Sequence, residues 1–411
     1  MDADVVVIGA GAAGLACARQ LTDAGADVLV LEARDRIGGR IHTVRAFRDE
    51  PFELGAMMIH GERAAVIDVA RDAALTVEHP NWGVGGESFV VIDGELRSRR
   101  DLDGWWWGVE REVADLAGPD VPLDRFLREL GWPDERRLVS EELFAQFWCA
   151  DPALLSAEGV ARVENSWRSG EDNLIVREGY DRVAASLARG VRHELGTQAD
   201  TIAWQRGHVR ITAAGGRSFT AGAAVVSVPP TVVASGAVAF DPPLDGRKAQ
   251  AVGAIPLGSV IRVIAQLVDP APSVGRVISV GADGGFWSVD DRMVTVWIGG
   301  PSAARFSGTD PIDIVLRAKV AFPWLDRSRI GEVLFADWGA DPFSLGAYSY
   351  PRAGALDAPS IWGEPVDDTL FFCGEGTCGD VHPATVHGAI ESGRRAAAEV
   401  ASVLAGRGQS H

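Results

Sequence analysis

Gly9, Gly11 and Gly14 stand between an apolar run, DVVVIG, and the helical pattern LACARQLTDAG. An acid, Glu32, follows eighteen residues after Gly14, at the end of a second apolar run. This order suits a pyrophosphate. Gly9 permits a tight turn, Gly11 lets the phosphates approach the backbone, and Gly14 lets helix and strand pack closely. The helix start offers free N–H groups and the positive end of its dipole. A carboxylate at position 32 accepts from ribose hydroxyls and disfavours a 2′-phosphate, so NADP is not expected.

Two further glycine sites sharpen the ligand. ARDRIGGR adds Gly38, Gly39 and Arg40 close to the same phosphates, with backbone donors and a bidentate cation. Gly374 and Gly376 bracket Glu375 shortly before the last helical pattern, whose N-terminus would stabilise negative charge on a reduced isoalloxazine ring. A nicotinamide enzyme has no use for that second loop; an extended, permanently held FAD does. No metal site is expected.

One cation is out of place. PLGSVIRV, residues 256–263, is a glycine turn entering a strand, and it carries Arg262 among apolar neighbours. Lysine is scarce: Lys248 and Lys319 are the only two, against 37 arginines, which points to a GC-rich genome. Any mechanism that needs a lysine has two candidates.

The elements that must position these residues follow from the apolar periodicity. DVVVIG and ADVLVLEAR predict parallel strands around the first helix, which Gly25 ends. Residues 62–75 and 102–170 read as mainly helical and include the run Trp105, Trp106, Trp107. Residues 177–230 mix helix and strand and end in AAVVSVPP. Residues 250–345 alternate short strands with a helix near 311–320. A closing helix is predicted from about 384 to 404. The fold class is α/β: a Rossmann-like FAD-binding domain from residues 1–61, 172–235 and 346–411, and a substrate domain of mixed sheet flanked by helices from 62–171 and 236–345.

With 411 residues, 47% of them hydrophobic, the chain can build a large core. A net charge of −18 argues against nucleic acid or an anionic membrane as partner. Four cysteines are too few for a disulfide framework, and Cys17 and Cys373 read as small buried hydrophobes. No signal-peptide pattern precedes the first strand, and no apolar run is long enough to span a bilayer, so a cytoplasmic location is expected.

Together these stretches resemble the flavin-dependent amine oxidase superfamily: monoamine oxidases, polyamine oxidases, histone lysine demethylases and L-amino acid oxidases. The resemblance covers nearly the whole chain. It is carried by VVVIGAGAAGLACARQL, LEARDRIGGRIHT, ELGAMMIHG, REGYDRVAASLA, VVSVPP, PLGSVIRV, ADWGADPFSLGAYSY and GEGTCGDVHPATVHGAIESGRRAA. The first two occur widely in FAD enzymes; the last two are much more specific. The resemblance implies non-covalent FAD, hydride transfer from a carbon bearing nitrogen, an imine product and reoxidation by dioxygen. The amine must be neutral to react, which a dry aromatic pocket favours.

Residue by residue, the resemblance places Glu32 on the adenosine ribose, Arg40 near the pyrophosphate and Glu375 on the ribityl chain. It puts backbone N–H groups near Thr385 and Val386 on the flavin carbonyl, and Arg34, Ala56, Met57 and Ala199 in the cofactor's walls. Trp338 would pack beside the flavin ring or serve as an ordinary core tryptophan. Tyr348 matches one wall of the aromatic sandwich around the substrate nitrogen. Thr385 stands where monoamine oxidases have the second tyrosine. Ala347 stands where they attach the flavin through cysteine. Glu62 would bind or deprotonate the amine, or simply favour a helix start. His60 reads as a backbone or ribityl contact. Tyr180 is either catalytic or packed against the FAD domain, and the triple tryptophan either walls a substrate pocket or packs helices.

The function expected is an FAD-dependent amine oxidase. The alternatives are an L-amino acid oxidase, whose substrate carboxylate needs an arginine clamp, and a specialised biosynthetic oxidase of amines or amides. An amine, amino acid or amide and dioxygen are the expected partners, with a homodimer among the allowed assemblies. Relatives commonly carry a lysine where this chain has Arg262. Arginine stays protonated and cannot act as a base. Arg262 is therefore read either as a neutral exchange or as the holder of a substrate carboxylate, an amide oxygen or a reduced flavin, with substrate as the working reading.

Overall fold

A computed structural model describes residues 1–47, 50–80, 87–99, 113, 120–281 and 283–408. The triple tryptophan lies outside the described residues. Five strands form a parallel sheet in the order 192–194, 28–31, 5–8, 223–226, 370–372. Val5–Ile8 is fully buried, as is Val28–Leu31, because helices and a second layer cover both faces. One face packs helix Ala12–Asp23 against the last helix, Val386–Gly408; the other meets a small sheet that includes Ile202, Val209 and Ile211. The closing helix thus runs slightly beyond its expected end.

A second sheet of seven strands runs in the order Ile330–Asp337, Val260–Leu267, Met293–Gly299, Gly285–Val289, Gly275–Ser279, Glu87–Ile92, Glu95–Ser98. Its central strands alternate strictly. Ile261, Val263, Trp287, Val294, Val296 and Ile298 face a core closed by Ile314, Val315 and Phe322. The intervening residues face the other way, toward a large cavity. The helix expected near 311–320 is Pro311–Val315, tightening into a 3₁₀ turn over Leu316–Val320. Among the described residues, no helix is long and apolar enough to cross a membrane.

Candidate active site

The cavity has a volume of about 1560 Å³. That exceeds the roughly 300–1,000 Å³ usual for one small ligand. It runs from the first glycine turn to the seven-stranded sheet, with room for a dinucleotide and a second molecule.

Its first end is built as a phosphate cradle. Gly9 has φ +104°, which a side chain would strain. A Cβ on Gly14 would sit 2.0 Å from the Gly9 carbonyl oxygen, so only glycine lets the helix start this close. Gly14 does not line the cavity; it sets the distance between helix and strand. A Cβ on Gly11 would meet nothing within 4 Å, so the space in front of it is open. No side chain caps the N-terminus of helix Ala12–Asp23. Open space, uncapped N–H donors and Gly39 beside Gly11 fit a pyrophosphate.

Glu32 is 6% exposed and lines this end. It accepts from the backbone N–H of Ala10 at 2.7 Å and of Arg34 at 2.9 Å, leaving lone pairs toward the cavity. The Arg34 guanidinium forks onto Asp341 at 2.6 and 2.9 Å and lies over the Phe343 ring, so it shapes the wall through an ion pair. Ala56, Met57, Ala199, Gly374, Thr385 and Val386 also line the cavity.

Glu375 departs from the simple expectation of a ribityl ligand. Its carboxylate accepts from Arg40 Nη1 at 2.7 Å, Ser349 Oγ at 2.5 Å and the Ala384 N–H at 3.0 Å. Arg40 donates also to the Ala347 carbonyl at 2.6 Å. Both residues line the cavity, yet most of their hydrogen-bonding capacity ties the first loop to the last one.

Trp338 is 4% exposed, faces the cavity and donates from Nε1 to the Leu54 carbonyl at 2.7 Å. Tyr348 lines the cavity near it. Its hydroxyl donates to the Phe147 carbonyl at 2.7 Å and accepts from Cys149 Sγ at 2.8 Å. Burial, reinforced by Cys149, holds the phenol well above its usual pKa, so it stays protonated. Thr385 is buried, and its hydroxyl accepts from the Gly388 N–H at 3.0 Å as the cap of the last helix. A capping threonine stands where a second aromatic wall would be.

Two sequence-derived candidates are corrected. The Glu62 side chain is 41% exposed, paired with Arg63 at 2.6 Å, and outside the cavity wall. Its carboxyl is lowered in pKa, chiefly by hydrogen bonding to its own backbone N–H, the opposite of a tuned base. The helix expected from position 62 starts at Ala65. Tyr180 is 1% exposed within the core of the first sheet and also does not reach the cavity. Its backbone N–H donates to Glu53, and its role is packing. His60 does line the cavity, hydrogen-bonded to Asn173 Oδ1 at 2.7 Å.

Arg262 points from its strand into the cavity. One Nη donates to the Val296 carbonyl at 3.3 Å, the other to Met57 Sδ at 3.9 Å. Among the described residues no carboxylate hydrogen-bonds to it. Burial lowers its pKa to about 10, and Glu53 offsets only part of that. Neither lysine lines the cavity. Lys248 is 3% exposed and donates to the carbonyls of Ile361, Trp362 and Glu364, closing the end of helix Ala358–Gly363.

Sequence reasoning missed the residues facing the cavity from the other strands: Thr295, Trp297, Phe286, Ser288, Ile278 and Arg276. It also missed Glu53, whose pKa burial raises to about 7. Alternation was the available signal for the former. The sequence did not say which alternate face meets the core.

Comparisons with known proteins agree with this geometry. Residues 12–401 match the family model described as flavin containing amine oxidoreductase. Polyamine oxidase 4 of Oryza sativa subsp. japonica is 29% identical, over 96% of this chain and 88% of its own. Lysine-specific histone demethylase 2 of Homo sapiens is 26% identical over 97% of this chain, which spans 53% of that protein. The solved structure of cyclohexylamine oxidase from Brevibacterium oxydans IH-35A superposes with a TM-score of 0.80 at 22% identity, covering 98% of this chain and all of that one. Putrescine oxidase bound to putrescine also gives 0.80, at 21% identity, over 98% and 99% of the two chains. The match over nearly the whole chain, on a fold whose cavity joins a dinucleotide cradle to an aromatic pocket, places this protein in the flavin-containing amine oxidoreductase family.

Proposed function

We propose that the protein oxidises an amine carrying a carboxylate or amide oxygen near the reacting carbon, with Arg262 as the group that holds that oxygen. The observation that carries the reading is the part-buried, cavity-lining Arg262 guanidinium without a hydrogen-bonded carboxylate among the described residues. Burying a charge is costly unless it is paired, and a substrate oxygen supplies the pairing. The reading covers α-amino acids, and amino amides within a larger scaffold.

Bound in this cavity, FAD would supply hydride acceptance and reoxidation by dioxygen. The protein's residues do the rest. Gly9, Gly11, Gly39 and the uncapped helix would hold the pyrophosphate, and Glu32 the ribose. Trp338 and Met57 would wall the ring, and Ala347 offers no side chain to link to it. Tyr348 presents its face to the substrate nitrogen, held at its hydroxyl by Cys149 and Phe147. Phe147, Trp148 and Trp297 exclude water and favour the neutral amine. No lysine or free carboxylate stands ready as a base among the described cavity residues near Arg262, so the substrate enters neutral or loses its proton to solvent.

Flavin bleaching under nitrogen tests this across amines, α-amino acids and amino amides. The expected result is faster reduction by substrates bearing the extra oxygen. Equal reduction by plain amines would overturn the role given to Arg262.

A further inference from the structure

Two cations that do not line the cavity converge on the loop that brings Gly374 and Glu375 to its wall. Helix Ala358–Gly363 ends against that loop: a Cβ on Gly363 would lie 3.4 Å from Thr377. A helix end leaves its last carbonyls without intrahelical donors. Here the carbonyls of residues 361 to 364 are taken by side chains from two other helices, Gly246–Ala254 and Val386–Gly408. Lys248 Nζ donates to Ile361 at 3.3 Å, to Trp362 at 2.8 Å and to Glu364. Arg395 Nη1 donates to Gly363 at 3.0 Å. Both cations also hold Phe372, the last residue of strand Leu370–Phe372. Lys248 Nζ lies 3.8 Å from its ring centroid, and Arg395 Nη2 donates to its carbonyl at 2.8 Å. Positive charge suits the negative end of a helix.

Arg395 reaches further. Its Nη2 donates to Thr377 Oγ1 at 3.2 Å, and that hydroxyl donates to the Gly374 carbonyl at 2.8 Å. The Gly374 N–H donates to Ser392 Oγ at 2.9 Å, three residues before Arg395 on the last helix. Glycine has no side chain to hold its φ of +130°; these two bonds hold it. Arg395 also pairs with Glu399 at 2.8 Å. Its donors are therefore committed to the protein, on both flanks of the loop.

We infer that Arg395 is a positioning residue for the cofactor: acting through Thr377, it fixes Gly374 and Glu375 at the cavity wall, with Lys248 closing the helix end that it also grips. The loop is ordered before FAD arrives, so binding energy is not spent on ordering it. The inference needs only the flavin that the family carries and does not depend on which amine is oxidised.

The test titrates full-length apoprotein with FAD and records the visible circular dichroism of the bound flavin and the melting temperature of the apoprotein. Wild type is compared with Thr377→Val, Arg395→Met, their double variant, Arg395→Lys and Lys248→Met. Thr377→Val keeps the side-chain volume and removes the hydroxyl. It should weaken FAD binding about twofold to tenfold and alter the flavin dichroism, while the apoprotein melts close to wild type. Arg395→Met should weaken binding more, and Arg395→Lys, with one charged donor, should recover part of the loss. The double variant should lose less than the product of the two single effects, because both residues act on Gly374 in one chain of bonds. Unchanged FAD affinity in Thr377→Val overturns the inference, and so do independent losses in the double variant. A lower apoprotein melting temperature with FAD affinity intact makes Arg395 a stability element and overturns it too. FAD binding as tight as wild type in Lys248→Met removes Lys248 from the arrangement. If Arg395→Met does not fold, the affinity and dichroism of Thr377→Val decide.

Discussion

The thiol of Cys149 donates to the Tyr348 hydroxyl at 2.8 Å, and that hydroxyl donates onward to the Phe147 carbonyl at 2.7 Å. The end of helix Asp134–Trp148 is thereby fastened to a ring that lines the cavity. Tyr348→Phe keeps the ring and removes the fastening. It should destabilise the protein by about 0.5–1.5 kcal/mol, because the exposed Phe147 carbonyl loses a donor and the buried Cys149 thiol loses an acceptor. Amine turnover should fall while FAD content holds. Urea unfolding and flavin analysis check both; unchanged stability would mean that the hydroxyl holds nothing in place.

Arg262→Met should separate stability from activity. A part-buried guanidinium without a hydrogen-bonded carboxylate costs free energy, so an apolar replacement of similar length is expected to melt no lower than wild type in the absence of substrate. Reduction by the carboxylate-bearing substrate should nevertheless drop by about tenfold to a hundredfold. In wild type the folded pKa, about 10, lies below the unfolded value. Affinity for an anionic substrate should therefore fall as pH rises through about 10. A lower melting temperature for Arg262→Met would argue that the arginine is a structural element.

Glu53 is a buried acid whose folded pKa, raised mainly by burial, is about 7. The native state binds more protons than the unfolded state between the ordinary carboxyl value and about pH 7. Stability contributed by the neutral acid is thus lost as pH rises across that window. Glu53→Gln keeps an acceptor for the Tyr180 N–H, which Glu53 Oε1 takes at 2.8 Å, and turns the other position into an amide donor, to which the Thr43 hydroxyl, now donating to Glu53 Oε2 at 2.8 Å, can turn a lone pair. Chemical denaturation at pH 5 and pH 8 should show a smaller difference in the variant than in wild type. Identical slopes would remove Glu53 as the titrating group.

Glu32→Ala removes the acceptor for two backbone donors, Ala10 and Arg34, as well as the expected ribose contact. Purified variant should carry less FAD than wild type, and its apoprotein should also be less stable. Glu32→Gln retains an acceptor and should recover stability more than FAD affinity. Equal FAD occupancy in all three would exclude Glu32 from the cofactor site.

The bond to the flavin is tested by acid. With Ala347 in the cavity wall, precipitated protein should release its colour into the supernatant. Colour held in the pellet would show a covalent link elsewhere.

What the sequence determined by itself is local. Glycine spacing between a strand and a helix marks a phosphate cradle because Gly9 takes a positive φ and Gly14 packs on the Gly9 carbonyl oxygen, both within a few residues. The apolar runs marked the parallel strands, and PLGSVIRV marked Arg262 as a displaced cation. What only the tertiary structure decided is non-local. Glu62 and Tyr180 sit in stretches that resemble functional ones, yet chain packing turned one to solvent and the other into the core. Arg40 meets Glu375 across 335 residues, and Cys149 meets Tyr348 across 199. Arg262 and Arg276 share a cavity face because strand register aligned them. Period-two alternation says that a strand has two faces. Which face meets a core and which meets a cavity depends on the elements packed against it.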